Sequence, residues 1–160
     1  MLVKDLIEED FTNYKLPSML IATCRCDWKC PRELGLPVSL CQNSPIANQK
    51  NIEVSAEDLF SRYSSNPLTQ ALIFAGLEPM LQFSEMNAVI SYFRDQNCND
   101  PVIIYTGYYP DEIDDQLAQL RTHSNIIVKF GRFIPNEQSH YDEVLGVNLV
   151  SNNQYAEQIC

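Results

Sequence analysis

Four of the six cysteines fall in one short stretch, Thr23 to Asn43, which reads TCRCDWKCPRELGLPVSLCQN. They are Cys24, Cys26, Cys30 and Cys41. The stretch directly follows Ser18-Met19-Leu20-Ile21-Ala22-Thr23. That nearly unbroken apolar run predicts a strand covered on both faces. Thiols gathered just past the C-terminal end of a first strand narrow the choices sharply. They point to a metal or cluster site at the mouth of an α/β sheet, where such folds place their ligands. Pro31, Gly35 and Pro37 predict that residues 24–43 form a loop and no helix.

Downstream, apolar runs alternate with amphipathic ones. Residues 56–65 carry a helical face at 56, 59, 60 and 63, with Ser55 as N-cap, and Asn66-Pro67 ends it. Ala71–Ala75 reads as a buried strand running into Gly76-Leu77-Glu78-Pro79. Ser84 is expected to cap a second helix bearing Met86, Val89, Ile90 and Phe93 on one side. Val102–Thr106 predicts a third strand, Pro110-Asp111-Glu112 a helix first turn, and Asn125–Val128 a fourth strand. A last strand and loop are expected over residues 144–154, and residues 1–16 read as a lead-in arm. Strands alternating with helices predict an α/β fold: a small partial (β/α) barrel or an open, mostly parallel sheet. The whole chain, 1–160, reads as one domain, with residues 24–43 as its metal-binding loop.

Composition narrows the partners. A net charge of −10 argues against nucleic acid, whose phosphates need clustered Lys and Arg. The acidic start MLVKDLIEEDF cannot form a signal-peptide core, and no apolar run approaches the roughly 20 residues of a membrane helix. A cytoplasmic location is expected. In a reducing compartment, clustered cysteines point to metal binding or catalysis before disulfides.

In their order along the chain, these motifs resemble the radical S-adenosylmethionine (SAM) superfamily. Within it they are most similar to the small activating proteins of anaerobic ribonucleotide reductase. That family's cluster motif is C-x3-C-x2-C. Here Cys26 and Cys30 keep the x3 spacing, Cys41 follows after ten intervening residues, and Asn43 matches the motif's closing Asn. Pro31–Leu40 therefore reads as an insertion. Gly76-Leu77-Glu78-Pro79 resembles the family's Gly-Gly-Glu-Pro, with Leu for the second Gly. Thr106-Gly107-Tyr108 resembles its Thr-Gly-Tyr, Phe130-Gly131-Arg132-Phe133 its Asp-Gly-Lys/Arg-Phe, and Ser151-Asn152-Asn153-Gln154 its Ser-x-Asn-Gln. The Gly- and Arg-containing lead-in of those activases has no counterpart in residues 1–17.

The resemblance implies a partial barrel of the radical SAM type. It implies a [4Fe–4S] cluster on Cys26, Cys30 and Cys41, and SAM bound near Asn43, Gly76, Leu77, Glu78, Pro79, Thr106, Gly107 and Tyr108. It implies reductive SAM cleavage to a 5′-deoxyadenosyl radical. The partners it implies are a larger glycyl-radical enzyme, such as anaerobic ribonucleotide reductase, and an electron donor such as flavodoxin or ferredoxin. Three thiolates suit a cubane with one open iron, and Glu78 suits a cationic amino group. Other readings stay open. Cys24 is a rival to Cys26 as first ligand, four thiols also suit a closed zinc site in a non-catalytic module, and the altered spacing suits a radical SAM enzyme with another peptide or small-molecule substrate. Gly131 and Arg132 read as structural. Trp28 reads either as a cover for the site or as packing.

Overall fold

The computed structural model describes residues 1–160. The chain opens on β1 (Leu2–Asp10) and returns through β2 (Ser18–Thr23). The cysteine stretch then folds into α1 (Lys29–Glu33), a 3-10 turn at Val38–Leu40 and α2 (Ser44–Ala47). After the short β3 (Ile52–Glu53), helices and strands alternate as α3 (Ala56–Ser65), β4 (Ala71–Gly76), α4 (Phe83–Asp95), β5 (Val102–Tyr105), α5 (Asp114–Leu120) and β6 (Ile126–Phe130). The tail adds β7 (His140–Asp142), β8 (Val147–Leu149) and β9 (Tyr155–Gln158).

Seven strands form one sheet in the order β3-β1-β2-β4-β5-β6-β9, and β7 pairs only with β8. The central strands β2, β4, β5 and β6 are parallel, while β1, β3 and β9 join antiparallel at the two sides. The fold is mixed α/β with a mostly parallel centre. No helix is long and apolar enough to cross a membrane.

Four local expectations need correction. Residues 2–10 are a strand and not an arm. Irregularities in the β1–β2 register, between Val3 and Asp5 and between Ile7 and Asp10, break the period of two that would have revealed it. The cysteine stretch is not helix-free. Pro31 sits in the first turn of α1, where its missing N–H costs nothing, and Gly35 takes φ +64° just past the helix end. Ser84 caps nothing: a 3-10 turn at Pro79–Gln82 leads straight into α4, and the Glu78 carboxylate caps that turn by accepting from the Met80 N–H at 3.1 Å. Asn125 lies outside β6 in the left-handed region at φ +54°, and the strand runs on to Phe130. The Ser55 cap of α3 is as expected, its hydroxyl accepting from the Asp58 N–H at 3.0 Å.

Strand alternation sorts the sheet's side chains into two unlike faces. One face carries Met19, Ile21, Leu72, Phe74, Val102, Ile104, Ile126, Val128 and Phe130. All three longer helices pack on it, through Leu59 and Tyr63 of α3, Met86, Ile90 and Phe93 of α4, and Leu117 and Leu120 of α5. The other face carries Leu20, Ile73, Ile103 and Ile127 in register across the four parallel strands. No long helix covers it. The tail's Leu145 and Leu149 and the turn residue Tyr14 do so in part. Two residues further along each strand, that face carries Ala22, Ala75, Tyr105 and Lys129. Two alanine side chains in this row leave room above the sheet.

Candidate cluster and ligand site

That room is a cavity of about 390 Å³ above the C-terminal ends of the parallel strands. Its size suits a small-molecule ligand. Cys26, Cys30 and Cys41 all line it, and Cys24 does not. The Cys24 backbone N–H instead donates to Gln82 Oε1 at 2.6 Å, at the start of α4. Of the other residues predicted for the site, Asn43, Gly76, Leu77, Glu78, Thr106 and Gly107 line the cavity. Pro79 and Tyr108 stand outside its lining: Pro79 is buried in the 3-10 turn, and Tyr108 turns its hydroxyl to Asp27 Oδ2 at 2.8 Å.

Glu78 organises the strand ends. Its Oε1 accepts from Thr106 Oγ1 at 2.7 Å and from the Met80 N–H, and its Oε2 accepts from the Gly107 N–H at 2.9 Å. The loops after β4 and β5 are thus joined through one carboxylate. Burial pushes that carboxyl upward, while the Thr106, Gly107 and Met80 donors pull it back. The Glu78 N–H donates to Arg25 O at 2.7 Å, and Asn43 Nδ2 donates to Gly76 O, so both ends of the cysteine stretch hang on the last residue of β4 and the loop after it.

Gly107 is required by contact. An added Cβ would stand 3.2 Å from Cys30 Sγ and 3.5 Å from Glu78 Oε2. The glycine lets thiol and carboxylate approach the same peptide. Gly76 combines φ +87° with a Cβ position 3.0 Å from Ala22, so β2 and β4 need glycine there. Trp28 also lines the cavity, and its backbone takes the left-handed conformation at φ +61°, rare for a bulky residue. That turn aims its N–H at Cys26 Sγ, 3.3 Å away.

Arg132 clamps the cysteine stretch to the body. Its side chain is only 8% exposed and forms two paired contacts. It donates to Glu112 at 2.6 and 2.7 Å and to Glu33 of α1 at 3.0 and 2.9 Å. It also donates to Gly107 O. Lys29 Nζ joins through Glu112 at 2.8 Å and lies 4.5 Å from the centre of the Tyr108 ring. Arg132, with help from Lys29 and the Tyr109 N–H, holds the Glu112 carboxyl well below the usual carboxylate range against its partial burial. The structural reading of Arg132 thus gains a definite content: it positions the segment that carries Cys30.

Sequence reasoning missed Lys129. It is 5% exposed, lines the cavity, and donates to Gly131 O at 3.0 Å. Burial draws its ammonium down to about 8, against the attraction of Cys30 and Glu78. The signal was a lone charge inside the apolar run Ile126-Ile127-Val128-Lys129-Phe130.

A family model described as a 4Fe-4S single cluster domain matches residues 25–155. The chain belongs to that family. A search of curated proteins finds no match to it. The single-cluster assignment fits the donor chemistry. Burial and the charges of Glu78, Asp27 and Cys30 push the Cys26 thiol up to about 12, although the Trp28 N–H favours its thiolate, and burial raises Cys30 as well. A thiolate there is stable beside strong positive charge, which iron provides. No three His, Cys, Asp or Glu side chains are grouped to hold a single ion. A lone tetrahedral zinc would need its sulfurs within about 4 Å of one another. A cubane takes each thiolate on a separate iron and accepts a wider triangle. All six cysteines are unpaired.

Proposed function

We propose that this 4Fe–4S protein is a radical SAM activase, in which Cys26, Cys30 and Cys41 hold the cluster and the cavity beside them takes SAM. When bound, the cluster supplies the electron that cleaves the SAM sulfonium, giving methionine and a 5′-deoxyadenosyl radical. The observation that carries the reading is convergence. Three thiols, the Glu78 carboxylate and Gly107 come from three separate strand ends onto one cavity. The chain's own part is to hold and orient. Glu78 Oε2, with one intrachain donor, has capacity left for a ligand ammonium. Ala22 and Ala75 keep the floor low, and Trp28 and Phe133 wall the cavity against water.

The substrate is proposed to be a glycine of a larger glycyl-radical enzyme of the anaerobic ribonucleotide reductase type, with a flavodoxin or ferredoxin as electron donor. A macromolecular substrate is supported by the spacer after Cys30, which leaves Leu34, Val38 and Leu40 exposed beside the site. Anaerobically reconstituted protein is expected to contain about four irons and four sulfides per chain, and to release 5′-deoxyadenosine from SAM under a strong reductant. With the purified reductase it should generate a glycyl-radical EPR signal. Cluster without SAM cleavage would overturn the activity. SAM cleavage without a glycyl signal would overturn the partner.

A further inference from the structure

The sheet has one side left unfinished. β3 covers β1 only at Leu2 and Val3, opposite Glu53 and Ile52, and no strand lies outside residues 5–9. The direction of their backbone groups follows from β2. Pro17 O and Thr23 O accept from Gln70 and Leu77 on the β4 side, so the alternate residues Leu20 and Ala22 face β1 and pair with Ile7 and Asp5. Leu6 and Glu8, between and beyond these, turn their N–H and C=O groups outward. The Leu6 N–H is met by the carboxylate of its own neighbour, Asp5 Oδ1 at 2.8 Å, in an exposed position. Glu8 O receives one long contact, from Thr69 Oγ1 at 3.5 Å. An open edge of this kind is a template for another strand.

A strand added there runs beside the cavity. Asp5 and Ile7 line it, and an added strand sets its own alternate side chains next to theirs, roughly 4.8 Å away. The other exits are closed. β3 blocks the edge at Val3, with Lys4 Nζ holding Ala47 O and Gln49 O beside it. The helix face is covered by α3 and its C-cap, through Arg62 on Glu8 and Asn66 on Glu9. On the cavity side, Ile7 and Val150 are each 41% exposed. Charge selects the occupant. The edge carries Asp5, Glu8 and Glu9, and the cations near it are spent: Lys4 on two carbonyls, Arg62 on Glu8 and Asp58. A second copy of the chain would set carboxylates against carboxylates, whereas a segment bearing Lys or Arg is attracted.

Resting on the reading of a macromolecular substrate, we infer that the outer edge of β1, residues 5–9, is a strand-addition site for an extended, basic segment of that substrate. A carbonyl of the added segment takes the Leu6 N–H, which releases the Asp5 carboxylate to a Lys or Arg side chain. Main-chain pairing supplies affinity, and Asp5 and Ile7 supply the choice of side chains. Where β3 begins, the segment leaves the sheet and turns over the cavity.

The test uses short fluorescent peptides alternating Val and Lys about a central Gly, with anisotropy read on the anaerobically reconstituted chain. Two controls alter only the peptide: one replaces Lys by Glu, the other keeps Lys but methylates every central backbone nitrogen. The Val/Lys peptide is expected to bind, and each control to bind at least about tenfold more weakly. Asp5→Lys should weaken the Val/Lys peptide roughly three- to tenfold with iron and sulfide unchanged, while Asp95→Lys, an equal change of charge on α4, should leave it within about twofold. A benzophenone on one end of the peptide should mark residues 147–150. Undiminished binding of the methylated peptide overturns strand addition, and undiminished binding of the Glu peptide overturns the choice of occupant. Cross-links confined to α3, or self-association of the chain that Glu8→Pro abolishes, overturn the site. Peptide binding needs no SAM cleavage, so the two readings fail separately. A chain that cleaves SAM yet binds no Val/Lys peptide loses the edge site alone. One that binds the peptide as expected yet cleaves no SAM keeps the edge site and loses the activase reading.

Discussion

The two faces of the sheet are built from the same strands to opposite ends. On the helix side, Phe74, Phe93 and Phe130 are fully buried and interlock with Met86 and Ile90. On the cavity side, the row nearest the strand ends contains two alanines, a tyrosine and a lysine. One side maximises apolar burial. The other gives up packing, tolerates a buried charge, and keeps space. Adjacent residues on one strand, Phe74 and Ala75, therefore serve different purposes: the first holds the fold, and the second holds the ligand's place.

That contrast is open to direct attack. Phe74→Ala removes a fully buried ring and should cost about 3–5 kcal/mol in urea unfolding. Arg132→Met should cost roughly 1–2 kcal/mol, because it removes both paired contacts, leaving Glu112 to Lys29 and the Tyr109 N–H and Glu33 to solvent. It should also weaken cluster retention, measured as iron lost to a chelator over time, since α1 loses its tie to the body. Ala75→Leu, one residue from Phe74, should change stability by about 1 kcal/mol or less, because its added volume enters open space, yet it should abolish the SAM binding proposed for the cavity. If Ala75→Leu destabilises as much as Phe74→Ala, the two faces are not distinct in the way described.

The smallest expected effect is one of pH. Glu112 is ionised more readily in the folded chain than in the unfolded one. A depressed carboxylate contributes stability that is fully present above its unfolded value of about 4.3 and is lost as pH falls toward the folded value. Between pH 6 and pH 3, wild type should therefore lose more stability than Glu112→Gln, as judged by urea midpoints. Parallel losses in the two proteins would show that the Arg132 clamp contributes nothing in solution.

The central strands β2, β4, β5 and β6 were readable because burial on both faces writes an unbroken apolar run. The motif positions were readable for a related reason: each follows such a run directly, and strand ends in α/β folds face the ligand. β1 was not, because its register irregularities mix charged and apolar positions. Nor was α1, whose proline reads as a breaker although it sits where a helix tolerates one. The departures from expectation at the site share a cause. Glu78 was read as a ligand contact alone, but it also joins two loops, a role that depends on Thr106, twenty-eight positions away. Arg132 and Lys129 gain their meaning from Glu33, Glu112 and Cys30, none of them neighbours in sequence. Local pattern reports what a residue's neighbours are along the strand. It is silent on which loops the sheet brings together.

The spacer between Cys30 and Cys41 bears on how readily the third thiol can join the other two. Closing a loop of ten residues in place of two costs a disordered chain about 1.4 kcal/mol more. Here the spacer is already folded on itself. The Gly35 N–H donates to Arg32 O, Leu36 to Pro31 O, Leu40 to Pro37 O and Cys41 to Val38 O. Its entropy is lost when the chain folds and not when metal arrives. For the cluster proposed on Cys26, Cys30 and Cys41, this folded excursion lowers the entropic cost of bringing the third sulfur to the other two.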